Sequence, residues 1–245
     1  MFDLSGRVAL VTGGGGRRVG TGAGLATALA AQGAHVIVND VDPDAATKTA
    51  ATITAAGGRA SVSVFDVTDE AAVRAGVAEA VAGTGPVDIL VTAAGGAGLK
   101  QFRDMSADAF ARDLDLNLMG TVRCVQAVID PMCERGYGRI VSIASAAGAV
   151  GIDIGVAGYG TAKAGVMGFI RLLAAEVGRS GVTANAIAPG LVQATVETTG
   201  MGAANPVGRC GIPEDLGPLC VYLASEEASW VTGQSIHING GTYMG

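Results

Sequence analysis

Tyr159 and Lys163 stand four residues apart in Tyr159-Gly160-Thr161-Ala162-Lys163. On a helix that spacing puts both side chains on one face. A phenol with a pKa of about 10 is a poor base at neutral pH. A nearby ammonium favours the phenolate and lowers that pKa. The pair could then take a hydroxyl proton while the carbon beside it gives up hydride. Ser145 lies 14 residues before Tyr159, at the end of a strand read over Arg139–Ala144. Its hydroxyl could hold a substrate oxygen and stabilise charge developing there, or simply make a turn. Asn117 is a polar residue inside the apolar helical stretch Leu114-Asp115-Leu116-Asn117-Leu118. It reads equally as a site residue and as a helix-kink residue bonding a backbone carbonyl.

A second candidate site comes earlier in the chain. Thr12-Gly13-Gly14-Gly15-Gly16-Arg17-Arg18-Val19-Gly20-Thr21-Gly22-Ala23-Gly24 joins an apolar run to an Ala/Leu-rich segment. Glycines at a strand-to-helix turn let the backbone approach a ligand closely. The helix start offers unpaired N–H groups and partial positive charge to a pyrophosphate. The loop lacks the Gly-Lys-Ser/Thr ending of a nucleoside-triphosphatase loop. Asp40 follows Gly22 by 18 residues, near the spacing at which an acid bonds a ribose 2′-OH and repels a 2′-phosphate. That favours NAD over NADP. Arg17 and Arg18 pull toward NADP, because a guanidinium can pair with a 2′-phosphate. Asp66-Val67 could reach an adenine edge, or could simply open the next helix.

These residues need a frame that brings them together. Apolar runs at Arg7–Thr12, Ala34–Asn39, Ser61–Phe65, Val87–Val91, Arg139–Ala144, Val182–Ala188 and Ser235–Ile238 read as strands. Helical patterns lie between them at Gly22–Gln32, Pro43–Ala56, Asp69 to Gly83, Ser106 to Arg135 with a bend near Gly120, Ala157–Gly178 and Pro213–Ser225. Asp69 and Ser106 are suited to cap their helices, and Pro43 to open its own. Continuously apolar strands alternating with helices imply a parallel sheet covered on both faces. Right-handed crossovers make it doubly wound, an α/β Rossmann-type sheet of about seven strands. With no Pro/Ser-rich linker, charge block or repeat, residues 1–245 read as a single domain. Parallel sheets bind ligands at the carboxyl ends of their strands, where the glycine loop, Asp40 and Ser145 all fall.

Composition excludes other classes. The chain has 245 residues, 39 of them Gly, with 49% apolar residues and a mean hydropathy of +0.44. Gly is about twice its usual share of roughly 7%, but the apolar content argues against disorder and there is no collagen-like period. A net charge of −6 argues against nucleic acid or an anionic membrane surface as partner. No signal peptide or membrane-spanning stretch is read. The four cysteines show no Cys-x-x-Cys spacing and read as reduced, cytoplasmic thiols. No metal site is expected, since His35 and His237 are the only histidines. Both read as strand-edge or partly buried residues.

In order and spacing these residues resemble a short-chain dehydrogenase/reductase over nearly the whole chain. The resemblance puts the family's Ser-Tyr-Lys-Asn tetrad on Ser145, Tyr159, Lys163 and Asn117. It implies that Tyr159 is the acid/base and that Ser145 orients the substrate oxygen. Lys163 would hold the nicotinamide ribose and lower the Tyr159 pKa, and Asn117 would hold a water linking Lys163 to solvent. Cofactor contacts are implied for Gly13, Gly20, Thr21, Gly22, Asp40, Asp66, Val67, Ala94, Gly95, Tyr159, Lys163, Pro189, Gly190 and Val192. Ile187 would reach the carboxamide through its backbone. Homotetramers or homodimers are implied through Ser106–Arg135 and Ala157–Gly178.

Departures from the family pattern are specific. Aligning Gly20-Thr21-Gly22 with the family's Gly-x-Gly makes the loop three residues longer, with Arg17-Arg18 in the added part. The family's Asn-Asn-Ala-Gly is Thr92-Ala93-Ala94-Gly95 here, which removes two amides expected to steady the sheet centre. Ala194 replaces a usual Thr, with Thr195 beside it. The substrate segments Gly95–Leu99, Ala147–Gly155 and Leu191–Asn205 carry Leu99, Val150, Ile152, Ile154, Leu191, Val192 and Met201. Their only charges are Asp153 and Glu197, while Lys100 and Arg103 lie just outside. With no cationic anchor for a carboxylate or phosphate, the substrate expected is a neutral, largely apolar secondary alcohol or ketone. The alternatives are a 3-oxoacyl-thioester reductase acting on carrier-protein or CoA substrates, and a non-catalytic dinucleotide-sensing protein.

Overall fold

Strands with no polar alternation can only sit where both faces are covered. The computed structural model describes residues 2–16, 20–193 and 205–244. In it the apolar runs become β1 (Val8–Thr12), β2 (His35–Asp40), β3 (Arg59–Val64), β4 (Ile89–Thr92), β5 (Gly138–Ile143), β6 (Val182–Pro189) and β7 (Ser235–Ile238). They form a seven-stranded sheet in the order β3-β2-β1-β4-β5-β6-β7, parallel throughout. This is the doubly wound, Rossmann-like sheet that the alternation predicts. The order reverses between β1 and β4, so the chain leaves a crevice at that point above the carboxyl ends of the strands.

The helices α1 (Thr21–Ala31), α2 (Pro43–Ala55), α3 (Glu70–Thr84), α4 (Ala107–Leu114), α5 (Gly120–Gln126), α6 (Ile129–Arg135), α7 (Ala157–Val177) and α8 (Pro213–Ala224) divide between the faces. Leu25, Leu29, Ile53, Leu216 and Leu223 cover one face, packed against Val11, Val38 and Val91. Val73, Val77, Cys124, Met132, Val166 and Ile170 cover the other, packed against Leu10, Leu90 and Ile140. The expected caps are in place: Asp69 accepts from the Ala72 N–H at 3.0 Å and Ser106 Oγ from the Ala109 N–H at 3.2 Å. Asp42 also caps α2, accepting from Asp44 and Ala45. Both histidines are half-buried in strands. His35 Nε2 lies 3.2 Å from Ser61 Oγ, and the His237 ring meets Tyr243 edge-on at 4.8 Å.

The stretch from Ser106 to Arg135 is not one bent helix. It widens into a π-turn at Asp115–Met119, resumes as α5, breaks after Gln126 and restarts as α6. Pro131 explains the second interruption: it has no N–H, and its ring crowds the carbonyl of Ala127. The first interruption belongs to Asn117 and bears on the site.

At the amino end of the sheet, Arg139 is buried at 2% exposure. Its guanidinium donates to the carbonyls of Ser225, Gly138 and Gly181 and to Glu226 Oε2 at 3.1 Å. It therefore ties β5 to the end of α8 and to the turn before β6. Replacing Arg139 with Leu strips several buried carbonyls of their donor, at about 1–3 kcal/mol for each one left unpaired. Urea unfolding should show Arg139→Leu less stable by about 3 kcal/mol.

Candidate active site

The phosphate-side cradle comes first along the chain. Gly20 takes a left-handed φ of 78° as N-cap of α1, and no side chain caps that helix. Its first N–H groups are thus left for a ligand. A Cβ on Gly22 would overlap the Gly13 carbonyl, and one on Gly13 would lie 2.7 Å from the Ala94 backbone. Loop, α1 and the end of β4 can approach this closely only without side chains. Gly20-Thr21-Gly22 therefore stands where the family's Gly-x-Gly would, and a pyrophosphate fits uncapped amides at a helix start. Arg17, Arg18 and Val19 lie outside the described residues.

Asp40 is the last residue of β2 and is 6% exposed. One carboxylate oxygen accepts from the Gly15 N–H and the other from the Asp42 N–H, both at 3.1 Å. The predicted ribose acid thus also clamps the glycine loop, a role the spacing did not reveal. Asp66 is exposed in the turn between β3 and α3. Its Oδ1 accepts from the Thr68 N–H and hydroxyl, each at 2.8 Å. Val67 is buried against Gly120.

The tetrad candidates meet across four elements. Ser145 follows β5 and opens a short 3-10 turn, its Oγ accepting from the Ala147 N–H at 3.2 Å. Tyr159 lies in the first turn of α7, and the Ser145 hydroxyl is near enough to favour its phenolate. Lys163 follows on the same helix face, fully out of water, with Nζ donating to the Ile143 carbonyl at 2.7 Å and 5.7 Å from the Tyr159 ring centre. Asn117, wholly buried in the π-turn, donates to the carbonyls of Gly96 and Asp113 and accepts from the Gly96 N–H, each at 3.0 Å. The helix-kink reading of Asn117 fits its bond to the Asp113 carbonyl in the widened helix, and its bonds to Gly96 fix the chain leaving β4. Gly95 has room only as glycine, since a Cβ would lie 2.6 Å from Asn117 Oδ1 and 3.4 Å from Lys163 Nζ.

The missing amides after β4 are compensated by hydroxyls. Thr92 Oγ1 donates to Ser142 Oγ at 2.9 Å, and Thr12 Oγ1 accepts from the Ala94 N–H at 3.3 Å. These two bonds join β4 to β5 and to β1. On the far side, Pro189 ends β6, Gly190 lies against the Asn239 backbone, and Val192 bridges to Gly211. Residues 194–204, with Ala194, Thr195, Glu197 and Met201, lie outside the described residues.

Electrostatics separate the two titrating partners. Burial pushes the Tyr159 phenol above its usual pKa, and the hydrogen bond from Ser145 pulls it back only in part. Burial brings the Lys163 ammonium down from the usual 10.5 to about 8. The expectation that the Lys163 ammonium lowers the phenol is corrected: burial raises it, and the opposing influence is the Ser145 hydroxyl.

At the start of α7 lies a cavity of about 290 Å³ lined by Phe102, Ala147, Val150, Ile152, Val156 and Thr161, with Tyr159 outside its lining. Asp153 at its rim accepts from Gln101 Nε2 at 3.3 Å. Leu99, Ile152, Ile154 and Leu191 are exposed although large and apolar. Among the described residues no cluster of His, Cys, Asp or Glu could hold a metal, and no helix is long and apolar enough to cross a membrane.

Comparison with known proteins decides the family. A family model described as enoyl-(acyl carrier protein) reductase matches residues 15–243. The chain belongs to the short-chain dehydrogenase/reductase family and is an oxidoreductase. It is 36% identical over 247 residues to the (2S)-[(R)-hydroxy(phenyl)methyl]succinyl-CoA dehydrogenase subunit BbsD of Thauera aromatica, covering 98% of each chain. A 3-oxoacyl-[acyl-carrier protein] reductase with bound NAD from Brucella melitensis superposes with a TM-score of 0.93 at 30% identity, covering 100% of this chain and 94% of that one. A gluconate 5-dehydrogenase from Burkholderia cenocepacia, in complex with NADP and tartrate, gives 0.90 at 32% identity, covering 98% and 96%.

The buried ammonium has a measurable consequence. Below about pH 8 both folded and unfolded chains hold the Lys163 proton, and folding bears the full cost of the buried charge. Between about 8 and 10.5 the unfolded chain binds more protons, so this residue makes stability rise with pH. The rise is on the order of 3 kcal/mol. Urea unfolding at pH 7.5 and 10 should show a stability gain for wild type relative to Lys163→Met, since the buried thiols and other tyrosines titrate alike in both.

Proposed function

We propose that this chain, a single dinucleotide-binding domain, transfers hydride between NAD(H) and a neutral, largely apolar secondary alcohol or ketone. The observation that carries the reading is the convergence of Ser145, Tyr159, Lys163 and Asn117 at the carboxyl edge of the sheet, beside the uncapped start of α1. That convergence argues against a silent dinucleotide sensor. Bound at this edge, the nicotinamide would accept or supply the hydride.

In alcohol oxidation Tyr159 takes the hydroxyl proton as the carbon loses hydride, and in reduction it returns that proton to the oxygen. Ser145 orients the same oxygen. Its hydroxyl beside Tyr159 offsets part of the burial that disfavours the phenolate. Lys163 would hold the nicotinamide ribose, and Asn117 secures the loop through Gly96. Gly190 and Val192 stand on the nicotinamide side of the cleft.

NAD is favoured because a 2′-phosphate would meet the Asp40 carboxylate, which is already fixed by two amides. The apolar rim at Leu99, Ile152, Ile154 and Leu191 supports a neutral substrate. A 3-oxoacyl thioester is the second reading. Lys100 and Arg103 stand beside the cleft, and two of the compared proteins carry CoA or acyl-carrier chemistry in their names. Homo-oligomers through the α4–α6 region and α7 are part of the reading.

Tyr159→Phe should lower kcat by about 10²–10⁴-fold while NADH affinity stays close to wild type. Retained turnover in that variant would overturn the mechanism. Wild type should use NADH in preference to NADPH, and Asp40→Ala should erode that preference by about tenfold, or 1.4 kcal/mol. Steady-state rates with both cofactors on a panel of neutral ketones and a 3-oxoacyl-CoA check these points. A preference for NADPH, or for the CoA substrate, would displace the corresponding part of the proposal.

A further inference from the structure

α7 begins at Ala157 with an N-cap, Val156, whose side chain accepts no hydrogen bond, and no acidic residue stands in the helix's own first turn. The acid comes from another helix. Asp113, on α4, sets its carboxylate against Gly158 in the first turn of α7, on the side of the Tyr159 N–H. Gly158 makes the space for it, since a Cβ there would lie 2.5 Å from Asp113 Oδ2 and 3.2 Å from its Cγ. The main-chain carbonyl of Asp113 meanwhile accepts from Asn117 Nδ2 at 3.0 Å. One residue thus grips two members of the tetrad, one by its side chain and the other by its backbone. Asn117 in turn holds Gly96.

We infer that Asp113 is a positioning residue for the reaction, holding the first turn of α7, and with it Tyr159, in register with Asn117 and the chain leaving β4. The inference rests on the reading of Tyr159 as acid/base. A carboxylate suits the place because helix starts carry partial positive charge and unpaired donors. The grip matters because the phenol must meet both the Ser145 hydroxyl and the substrate oxygen, and a displacement of about 1 Å can cost about 10²-fold in rate. Asp113 acts through the turn that carries Tyr159, so its loss should appear in kcat and not in binding.

The test compares Asp113→Ala, Asp113→Asn, Gly158→Ala and the double variant Asp113→Ala/Gly158→Ala with wild type and Tyr159→Phe. Each is assayed with NADH and 2-octanone, acetophenone or cyclohexanone, and its backbone amides are observed by NMR after ¹⁵N-tyrosine labelling. Asp113→Ala should lower kcat by about 10–100-fold, with KM and NADH affinity within about threefold. Asp113→Asn keeps an oxygen acceptor and should recover most of that loss. Gly158→Ala should reproduce the loss by pushing the carboxylate aside, and the double variant should be no slower than Asp113→Ala. The Tyr159 amide signal, assigned by its absence in Tyr159→Phe, should move upfield in Asp113→Ala and Gly158→Ala.

Unchanged kcat in Asp113→Ala beside an inactive Tyr159→Phe would overturn the inference and leave the reading of Tyr159 intact. A loss confined to NADH affinity, multiplicative losses in the double variant, or an unmoved Tyr159 amide would overturn it as well. Turnover retained by Tyr159→Phe would overturn the reading itself, and the inference with it.

Discussion

Removing a lysine ammonium from water is costly unless its surroundings replace the lost hydration. Here the Ile143 carbonyl at 2.7 Å does part of that work, and much of the site follows from it. β5 must end where its last carbonyl faces α7. α7 must cross close enough for Lys163 to reach it. Gly95 must lack a side chain, because a Cβ there would overlap the Asn117 amide oxygen that lies next to Nζ. The burial that brings Lys163 down to about 8 is the same burial that raises the phenol of Tyr159. Proton transfer at neutral pH therefore depends on groups that meet the phenol directly, Ser145 first.

The interrupted helix between Ser106 and Arg135 is the second structural commitment. A regular helix through residue 117 would leave the Asn117 side chain without its bond to the Gly96 backbone. The π-turn at Asp115–Met119 accommodates an amide that satisfies donors and acceptors on two segments at once. Single π-turns inside α-helices often mark functional positions. The local loss in helix regularity is balanced by a fixed exit from β4.

The glycines separate into those that turn the chain and those that let backbones touch. Gly13, Gly22 and Gly95 belong to the second kind, and all three lie at the carboxyl edge of the sheet. Their absent side chains let β1, α1, β4 and the Asn117 turn converge. Two clamps reinforce this convergence: Asp40 holds the loop at Gly15, and hydroxyls of Thr12, Thr92 and Ser142 join neighbouring strand ends. Of these, Thr92 stands where the family pattern has an amide, and its hydroxyl ties β4 to β5 instead.

The sequence by itself determined the sheet, its parallel sense and the edge at which chemistry would sit, because apolar periodicity, caps and glycine-rich turns act over a few residues. It also placed Tyr159 and Lys163 on one face, since four residues is a helical repeat. What only the tertiary structure decided are relations between distant segments. Asp40 as a clamp on Gly15, Asn117 as a tie to Gly96, and the Asp113 carboxylate against Gly158 at the start of the helix of Tyr159 each join residues from different elements. The opposing shifts of Tyr159 and Lys163 belong there too, because desolvation depends on everything packed around a group and not on its neighbours in the chain.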